Sequence, residues 1–193
     1  MILPIVLLAG AALILGGCQV TRSGYESAPY KVVRADGKFE VRDYPPLTVV
    51  ETSMASTGNN ANGSFGRLFA FITGGNQSKQ KISMTTPVLM SGSDSNRTMA
   101  FVMPSKLKPG EVPVPADGSV SVRQLAAGRF AVMRFNGSRS TKRETESLEH
   151  LKTWMATQNL VPIPPPVYGY FDPPWTLGFL RRNEVMLRTE QAR

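Results

Sequence analysis

The sequence predicts an α+β fold in which an antiparallel sheet, curved or barrel-like, carries two flanking helices. Two stretches with helical periodicity are each flanked by strand-like segments, and this pattern occurs twice along the chain. The offsets between corresponding residues are similar: 81 from Val41 to Val122, 82 from Phe69 to Leu151 and 79 from Pro87 to Pro166. They predict a duplicated strand–helix–strand–strand unit with pseudo-two-fold symmetry, and a cleft between the halves where a ligand could bind.

The first unit begins with FEVRDYPPLTVVETS at residues 39–53, whose apolar residues predict two short strand segments bent at Pro45-Pro46. A polar loop follows, and then SFGRLFAFITGG predicts a helix with Ser64 as its N-cap and Gly74 as its stop. The stretch ISMTTPVLM predicts the next strand, bent at Pro87, and TMAFVMP predicts another.

The apolar face of the first helix follows from its spacing. Positions i, i+3, i+4 and i+7 are apolar and predict core residues: Phe65, Leu68, Phe69 and Ile72. Phe71 falls outside this stripe and shares its side of the helix with Arg67, which predicts an exposed aromatic ring beside a cation.

The second unit repeats the order of the first. VSVRQLAAGRFAVMRF at residues 120–135 resembles the opening strands, and a second amphipathic helix follows, with a capping box of Thr141 and Glu144. Its apolar stripe is predicted to contain three residues: Leu148, Leu151 and Met155. PIPPPVYGYFDP then takes the place of ISMTTPVLM, and NEVMLRT predicts the closing strand.

The first seventeen residues, MILPIVLLAGAALILGG, contain no charged side chain and suit a signal peptide better than a spanning helix. They precede Cys18, the single cysteine, as in a bacterial lipoprotein signal. We therefore predict a signal peptide at 1–17, lipidation of Cys18, a tether at 18–29 and one domain at 30–193. An uncleaved N-terminal anchor is the alternative, and either would hold the domain at a membrane outside the cytoplasm. Gln19 favours the outer membrane, facing the periplasm, if the cell is Gram-negative.

The chain carries 22 Lys and Arg against 14 Asp and Glu, a net charge of +8 that favours an anionic partner. The basic residues are scattered, so the sequence does not predict nucleic-acid binding. It also predicts no enzyme and no metal site, because a nucleophilic device would need Cys18 or His150 and no cluster has metal-ligand spacing. The carboxylates on or near predicted strands give no acid–base pair: Glu40, Asp43, Glu51 and Glu184.

Several motifs occur together in one order: FEVRDYPP, FITGGNQ, KISMTTPVLM and GYFDPPW…FLRRNEVML. From Tyr30 to Leu187 the chain resembles the SOUL/heme-binding protein family on these motifs. The resemblance implies a distorted antiparallel barrel with two helices and internal two-fold similarity. It also implies binding of heme or a related tetrapyrrole, with no reaction general to the family.

The resemblance places the ligand on the first helix and on the loop before the last strand. On the helix it implicates Gly66, Phe69, Ala70 and Thr73, and on the loop Phe171, Asp172, Pro173, Pro174, Trp175, Leu177 and Phe179. Aromatic side chains would form flat walls for a porphyrin. Arg67, Arg181 or Arg182 would bind its propionates, although alternation in a strand would leave only one of Arg181 and Arg182 facing the cleft.

Iron ligation is the open point. His150 is the single histidine, and its position on the second helix, away from the apolar stripe, predicts a solvated residue rather than an axial ligand. Met84, Met90 or Tyr170 are the other ligands available in principle, and packing alone is a further alternative. Two other functions stay open: binding of another flat hydrophobic or lipid-like ligand, and a structural or interaction role as an envelope lipoprotein without heme.

Overall fold

The computed structural model describes residues 24–55, 63–92 and 96–191, which form two helices and eleven strands. The helices are α1 (Gly63–Ile72) and α2 (Thr141–Thr157). The strands are β1 (Glu26–Ser27), β2 (Lys31–Asp36), β3 (Phe39–Tyr44), β4 (Leu47–Ser53), β5 (Thr85–Thr86), β6 (Val88–Ser91), β7 (Thr98–Val102), β8 (Val120–Leu125), β9 (Gly128–Phe135), β10 (Leu160–Tyr170) and β11 (Asn183–Gln191).

The N-terminal predictions fall largely on residues outside this description. The predicted signal peptide, Cys18 and residues 18–23 of the predicted tether are not among the described residues, whereas residues 26–27 form β1 and pair with β5. Within the described ranges, neither helix combines the length and apolarity needed to cross a bilayer.

Nine strands form one antiparallel sheet in the order β2-β3-β9-β11-β10-β6-β7-β4-β8. The strands from β3 to β8 in this order are related by a two-fold symmetry. Each strand of the first repeat has a counterpart at the equivalent place in the other half of the sheet: β3 corresponds to β8, β4 to β9, β6 to β10 and β7 to β11. The predicted duplication is therefore confirmed, and its pseudo-two-fold axis passes between β6 and β10, where Met90 pairs with Tyr168.

The repeated unit has one more strand than the sequence predicted, because two separate strands precede each helix. Those two strands do not pair with each other: β3 pairs with β9, and β8 pairs with β4. The chain turns from one half of the sheet to the other at Pro45-Pro46 and again at Ala126-Ala127. The sheet is curved and open, with β2 and β8 at its edges, so it does not close into the barrel that the resemblance implied.

Both helices pack on one face of the sheet, α1 against β4, β7 and β8, and α2 against β9, β10 and β11. Their buried side chains join the inward-facing strand residues in one core. The helix residues of this core are Leu68, Phe71, Ile72, Leu151, Trp154 and Met155. The described core and the described strands lie between residues 24 and 191, so a chain that begins at Gln19 contains all of them.

The orientation of α1 differs from the predicted one. The helix buries Leu68, Phe71 and Ile72, while Phe65 and Phe69 are 43% and 47% exposed. Two apolar stripes overlap on this helix, and the sheet buries the one containing Phe71, so the prediction that Phe71 is exposed is wrong. The predicted role of Phe65 and Phe69 as core residues is wrong for the same reason.

The ends of the helices are only partly as predicted. Ser64 is buried inside α1, which begins at Gly63, whereas Gly74 follows the helix end with φ +115° as predicted. In α2 the N-cap is Ser140, whose Oγ accepts the Arg143 N–H at 3.3 Å. The predicted capping box is wrong because Thr141 lies inside the helix and the Glu144 carboxylate binds Arg97 and Arg139. The predicted stripe is confirmed at Leu151 and Met155, which are fully buried, whereas Leu148 is only partly buried.

Candidate ligand-binding site

The loop between β10 and β11, residues 171–182, presents several large apolar side chains to solvent. Trp175 is 80% exposed, Phe179 70%, Leu177 60% and Leu180 53%. Single exposed hydrophobic residues are common on proteins, but a contiguous group of this kind marks a surface that binds something. The structure thus places three of the residues implicated by resemblance, Trp175, Leu177 and Phe179, together on one exposed loop.

Hydrogen bonds within the loop hold its shape. The Arg181 guanidinium donates to the carbonyl oxygen of Thr176 at 2.7 Å and to that of Pro174. At the base of the loop, the Arg182 N–H donates to Asp172 Oδ2 at 2.6 Å. The exposed apolar side chains are therefore carried by an ordered backbone, which lowers the entropic cost of binding a ligand.

Further hydrogen bonds tie the loop to the turn between β9 and α2. The Asn136 side-chain amide donates to the Phe179 carbonyl oxygen at 2.9 Å, and the Gly137 N–H donates to the Gly178 carbonyl oxygen at 3.0 Å. Gly178 begins a short 3-10 helix, Gly178–Leu180, that projects Phe179 and Leu180 outward.

The two arginines of this loop are engaged by the protein itself. Arg181 and Arg182 precede β11 rather than alternating within it. Arg182 forms an ion pair with Glu184 at 2.5 Å and lies over the Phe171 ring, 4.2 Å from its centroid. Phe171 is 5% exposed, so it supports the loop from below. Arg181 donates to two loop carbonyls, so both guanidiniums are engaged in contacts within the protein.

The second predicted surface lies on α1. Gly66, Phe69, Ala70 and Thr73 are all exposed and follow one another at helical spacing on the outer side of the helix. A β-carbon at Gly66 would meet nothing within 4 Å, so the small residues leave a flat strip beside Phe69. The Phe69 ring stacks on that of Phe65, with 5.9 Å between centroids and 14° between planes.

Arg67 anchors α1 to the sheet. Its guanidinium donates to Thr52 Oγ1 at 2.9 Å and to the Ser53 carbonyl oxygen at 2.6 Å, both on β4. The side chain therefore fixes the position of the helix, and the proposed role of Arg67 in binding a propionate would require these hydrogen bonds to break.

The strand register relates the residue before the loop to the part of the sheet that contacts Phe65 of α1. Tyr170, the residue before the loop, pairs with Val88, and Val88 pairs with Phe101. Phe101 contacts Phe65 of α1, with 5.3 Å between ring centroids. Since β10 and β7 are two strand spacings apart, Tyr170 and Phe101 are separated by roughly 10 Å. The residue before the loop is therefore about two strand spacings from the strand residue that contacts Phe65.

Each predicted iron ligand is either distant from these two surfaces or already packed or hydrogen-bonded within the protein. His150 is exposed on α2, ten residues beyond its N-cap and so roughly 15 Å along the helix. Met90 is buried in the core, and Met84 packs against it. The Tyr170 hydroxyl donates to Glu144; burial raises its pKa, and Glu144 raises it further. Within the described ranges, no group of three His, Cys, Asp or Glu side chains is arranged to hold a metal ion.

A buried charge cluster on the face opposite the helices was not predicted. Arg42, with no exposed surface, binds Glu184 through two hydrogen bonds of 2.7 and 3.0 Å and Glu40 through one of 2.6 Å. Burial by itself would raise the pKa of Glu184, but the hydrogen bonds from Arg42 and the charges of Arg42 and Arg182 lower it. The alternation of FEVRDY signals that Glu40 and Arg42 share a face, but only the register brings them to Glu184.

The same face contains a small apolar cavity beside the pseudo-two-fold axis. Its walls include Leu47, Leu89, Phe130, Val167 and Met186, and its volume is about 70 Å³. Pockets for drug-sized ligands occupy roughly 300–1,000 Å³. This cavity is therefore too small for a tetrapyrrole.

Comparison with known proteins identifies the family of this chain and two related proteins. The profile of the SOUL heme-binding protein family matches residues 25–188. Heme-binding protein 2 of Homo sapiens is 30% identical over 190 residues, covering 92% of this chain and 90% of the human protein. Heme-binding protein 2 of Mus musculus is 28% identical over 171 residues, covering 83% of this chain and 82% of the mouse protein.

Solved structures share the fold at much lower identity. A hydrolase from Listeria innocua has a TM-score of 0.58 and 12% identity, covering 82% of this chain and 94% of that protein. The C-terminal domain of EcmrR has a TM-score of 0.56 and 11% identity, covering 84% of this chain and 99% of that domain. These similarities concern the fold alone. The profile match over most of the described chain and the human relative identify the family: this chain belongs to the SOUL heme-binding protein family.

Proposed function

We propose that this protein is a non-catalytic, membrane-tethered binding protein for heme or a related tetrapyrrole. The observation that carries the proposal is the ordered loop with Trp175, Leu177 and Phe179 more than half exposed, in a chain of the SOUL family. Flat apolar side chains at fixed positions suit a flat, hydrophobic ligand.

The tetrapyrrole is held on the surface rather than in an internal pocket. The loop supplies one apolar wall, and the exposed strip of α1 with Phe65 and Phe69 is proposed as a second. When heme is bound, its iron supplies the optical signal of the complex. Binding rests on packing, because His150 lies elsewhere and Tyr170 is engaged by Glu144.

A binding role is also favoured by the state of the buried carboxylates. Glu40 and Glu184 converge on the same face, but both are held by Arg42 and are not poised as an acid and a base. Glu144 is bound by Arg97 at 2.6 Å and by Arg139 at 3.2 Å. Carboxylates that are fully paired with arginine stabilise structure and do not exchange protons with a substrate.

The proposed location is the cell envelope, lipid-anchored outside the cytoplasm, and the outer membrane facing the periplasm in a Gram-negative cell. It rests on the uncharged residues 1–17, on Cys18 after small residues and on Gln19. Mass spectrometry of the N-terminal peptide from the membrane-bound protein tests it: a diacylglyceryl group on Cys18 is expected, and an unmodified Cys18 preceded by residues 1–17 would favour the uncleaved anchor.

A hemin titration of the chain beginning at Gln19 tests the binding function. We expect a saturable, shifted Soret band at one hemin per chain. Trp175→Ala with Phe179→Ala is expected to weaken binding about tenfold or more, since each ring offers an apolar wall. The matched control is Val161→Ala, which truncates a 46% exposed side chain at the far end of β10 and leaves binding unchanged. An absorbance that rises without saturation would refute the proposal.

The spectrum of His150→Ala decides the question of ligation in the same assay. We expect its Soret band to be unchanged, because His150 is exposed on α2 and distant from the loop. A shifted band in this variant would make His150 an axial ligand.

The second candidate function is binding of another flat hydrophobic or lipid-like molecule. It is favoured by the absence of a histidine beside the loop and the α1 strip among the described residues. Native mass spectrometry of the protein from its own membranes distinguishes the two, because a co-purified non-heme mass would favour the second candidate and a tetrapyrrole mass the first.

A further inference from the structure

We infer that the end of the sheet carrying the loop 171–182 docks onto an anionic lipid surface, with the loop inserted among the headgroups. This inference rests on the tethering part of the proposed function and adds to it a defined orientation of the domain on the membrane. Three independent features of the described residues support it: the chemistry of the loop, the place where the chain leaves the fold, and neighbouring cations.

The loop has the composition of a membrane-interface element. Within six residues it exposes Trp175, Leu177, Phe179 and Leu180, each more than half accessible to solvent. Tryptophan and phenylalanine prefer the boundary between headgroups and acyl chains, and leucine adds apolar area. The ordered backbone, held by Arg181, keeps these side chains outward, so no unfolding is needed for them to enter the interface.

The N-terminal end of the described chain lies at this same end of the sheet. Ser27 pairs with Thr86, and two residues later Val88 pairs with Tyr170, the residue that precedes the loop. Because β1 runs parallel to β5, residues 24–26 enter β1 from the side of the loop.

The distance to the predicted anchor is short. Gly24, the first described residue, is six positions after Cys18, and six residues of extended chain span about 20 Å at most. An anchor at Cys18, or an uncleaved apolar segment before it, would thus hold this end of the domain within reach of the bilayer.

Cations flank the apolar loop on its other side. The turn 136–138, which hydrogen-bonds to the loop, leads into Arg139, Lys142 and Arg143. The Lys142 side chain is 83% exposed, and Arg143, also exposed, lies against Gly137, its Nε only 2.8 Å from where a β-carbon would be. Glu144 faces the core and Glu146 is 4 residues from Lys142, which it contacts at 3.9 Å. An apolar group with a cationic border is the pattern of an anionic membrane surface.

A lipid surface accounts for all three features at once. A protein partner would explain an apolar loop but not its location beside the membrane tether. The docked arrangement also places the candidate tetrapyrrole site at the membrane surface, where a lipophilic ligand would be concentrated.

The test uses the full chain, purified from membranes and reconstituted into vesicles whose lipids have brominated acyl chains. The vesicles contain phosphatidylcholine with about 30% phosphatidylglycerol, or phosphatidylcholine alone for comparison. Bromine quenches tryptophan fluorescence only at close range. The Trp175 signal is obtained as the difference between the wild type and Trp175→Phe, since Trp154, the other tryptophan, is 8% exposed in the core. Flotation of the same samples reports whether the chain is attached.

We expect the chain to float and Trp175 to be strongly quenched in the anionic vesicles. Lys142→Glu with Arg143→Glu should lower this quenching by about half or more, and Leu177→Ser with Phe179→Ser should lower it further. Val161→Ser changes a side chain of similar exposure roughly 30 Å away along β10 and should leave it unaltered. Circular dichroism checks that each variant is folded, which is expected because the altered side chains are exposed.

The outcomes separate the inference from the proposed function. A chain that floats with unquenched Trp175 overturns the docking inference and leaves the tether in place. A chain that does not float, with unquenched Trp175, overturns both the docking inference and the tether. Quenching that Lys142→Glu with Arg143→Glu does not change would overturn the role of the cations. The hemin titration is independent of these results, since it is made without lipid.

Discussion

Arg42 shows how a single residue depends on the whole sheet. Its guanidinium has no exposed surface, and it binds Glu40 on its own strand and Glu184 on β11. The ring of Tyr30 covers it at 4.1 Å. A buried arginine is tolerated only when its charge is matched and its donors are satisfied, and this cluster meets both conditions.

Replacing Arg42 is therefore expected to be costly. Arg42→Met leaves Glu184 buried with Arg182 at 2.5 Å and Arg134 at 3.7 Å as its remaining cationic partners, and we expect a loss of about 3 kcal/mol in the free energy of unfolding, the lower end for a broken buried pair. The control, Arg129→Met, breaks an ion pair with Asp43 whose side chains are 46% and 41% exposed, and should cost less than about 1 kcal/mol. Urea denaturation measures both. Equal losses in the two variants would contradict this account.

At the scale of the element, α1 shows why periodicity did not decide which face is buried. The helix SFGRLFAFI contains apolar residues on two adjacent stripes, one through Phe65 and Phe69 and one through Phe71. Both satisfy helical spacing. The sheet buries the Phe71 stripe, and Arg67 fixes this rotation through its hydrogen bonds to Thr52 and Ser53.

Two phenylalanines on this helix should accordingly differ in their effect on stability. Phe71→Ala removes a side chain that is 2% exposed, and we expect a loss of about 3–5 kcal/mol in the free energy of unfolding. Phe69→Ala removes a side chain that is 47% exposed, and should cost about 1 kcal/mol or less. Thermal or urea unfolding followed by circular dichroism gives the comparison, and a larger loss for Phe69→Ala would invert the assigned orientation of α1.

At the scale of the whole molecule, each of the two repeated units contributes one strand to the part of the sheet formed by the other unit. The first strand of each unit pairs with the second strand of the other, β3 with β9 and β8 with β4. Each half therefore lacks one edge of its own sheet when the other half is missing. The two units share one core and one sheet, although their sequences have little identity.

This exchange predicts that the halves do not fold separately. The turn at Gly118 is exposed and separates the units, so a protease site inserted there should be tolerated. We expect isolated residues 24–117 and 118–191 to show no cooperative unfolding, and their mixture to recover one transition. The uncleaved insertion variant, which should unfold like the wild type, is the control. Cooperative unfolding of either half alone would show that the exchange is not required.

For the candidate site, the sequence selected residues but did not predict their contacts in the folded protein. The resemblance selected Trp175, Leu177 and Phe179, and the structure shows them exposed on one loop. It also selected Arg181 and Arg182 as cations for a ligand, yet both are engaged by the loop and by Glu184. Whether an arginine is free depends on contacts with residues distant in the chain, which a local pattern does not contain.

By itself the sequence determined the class of fold, the duplication and the family. Periodicity, the repeated order of elements and the order of motifs can all be read from the residue order, without knowledge of contacts between distant residues. Tertiary structure alone decided that the sheet stays open and that β3 and β8 each pair with a strand of the other repeat. It also decided that Phe71 is buried and that Arg42 binds Glu184. Each of these depends on the register between strands far apart in the chain. That register is set by packing of the whole core, to which every element contributes and which no single segment specifies.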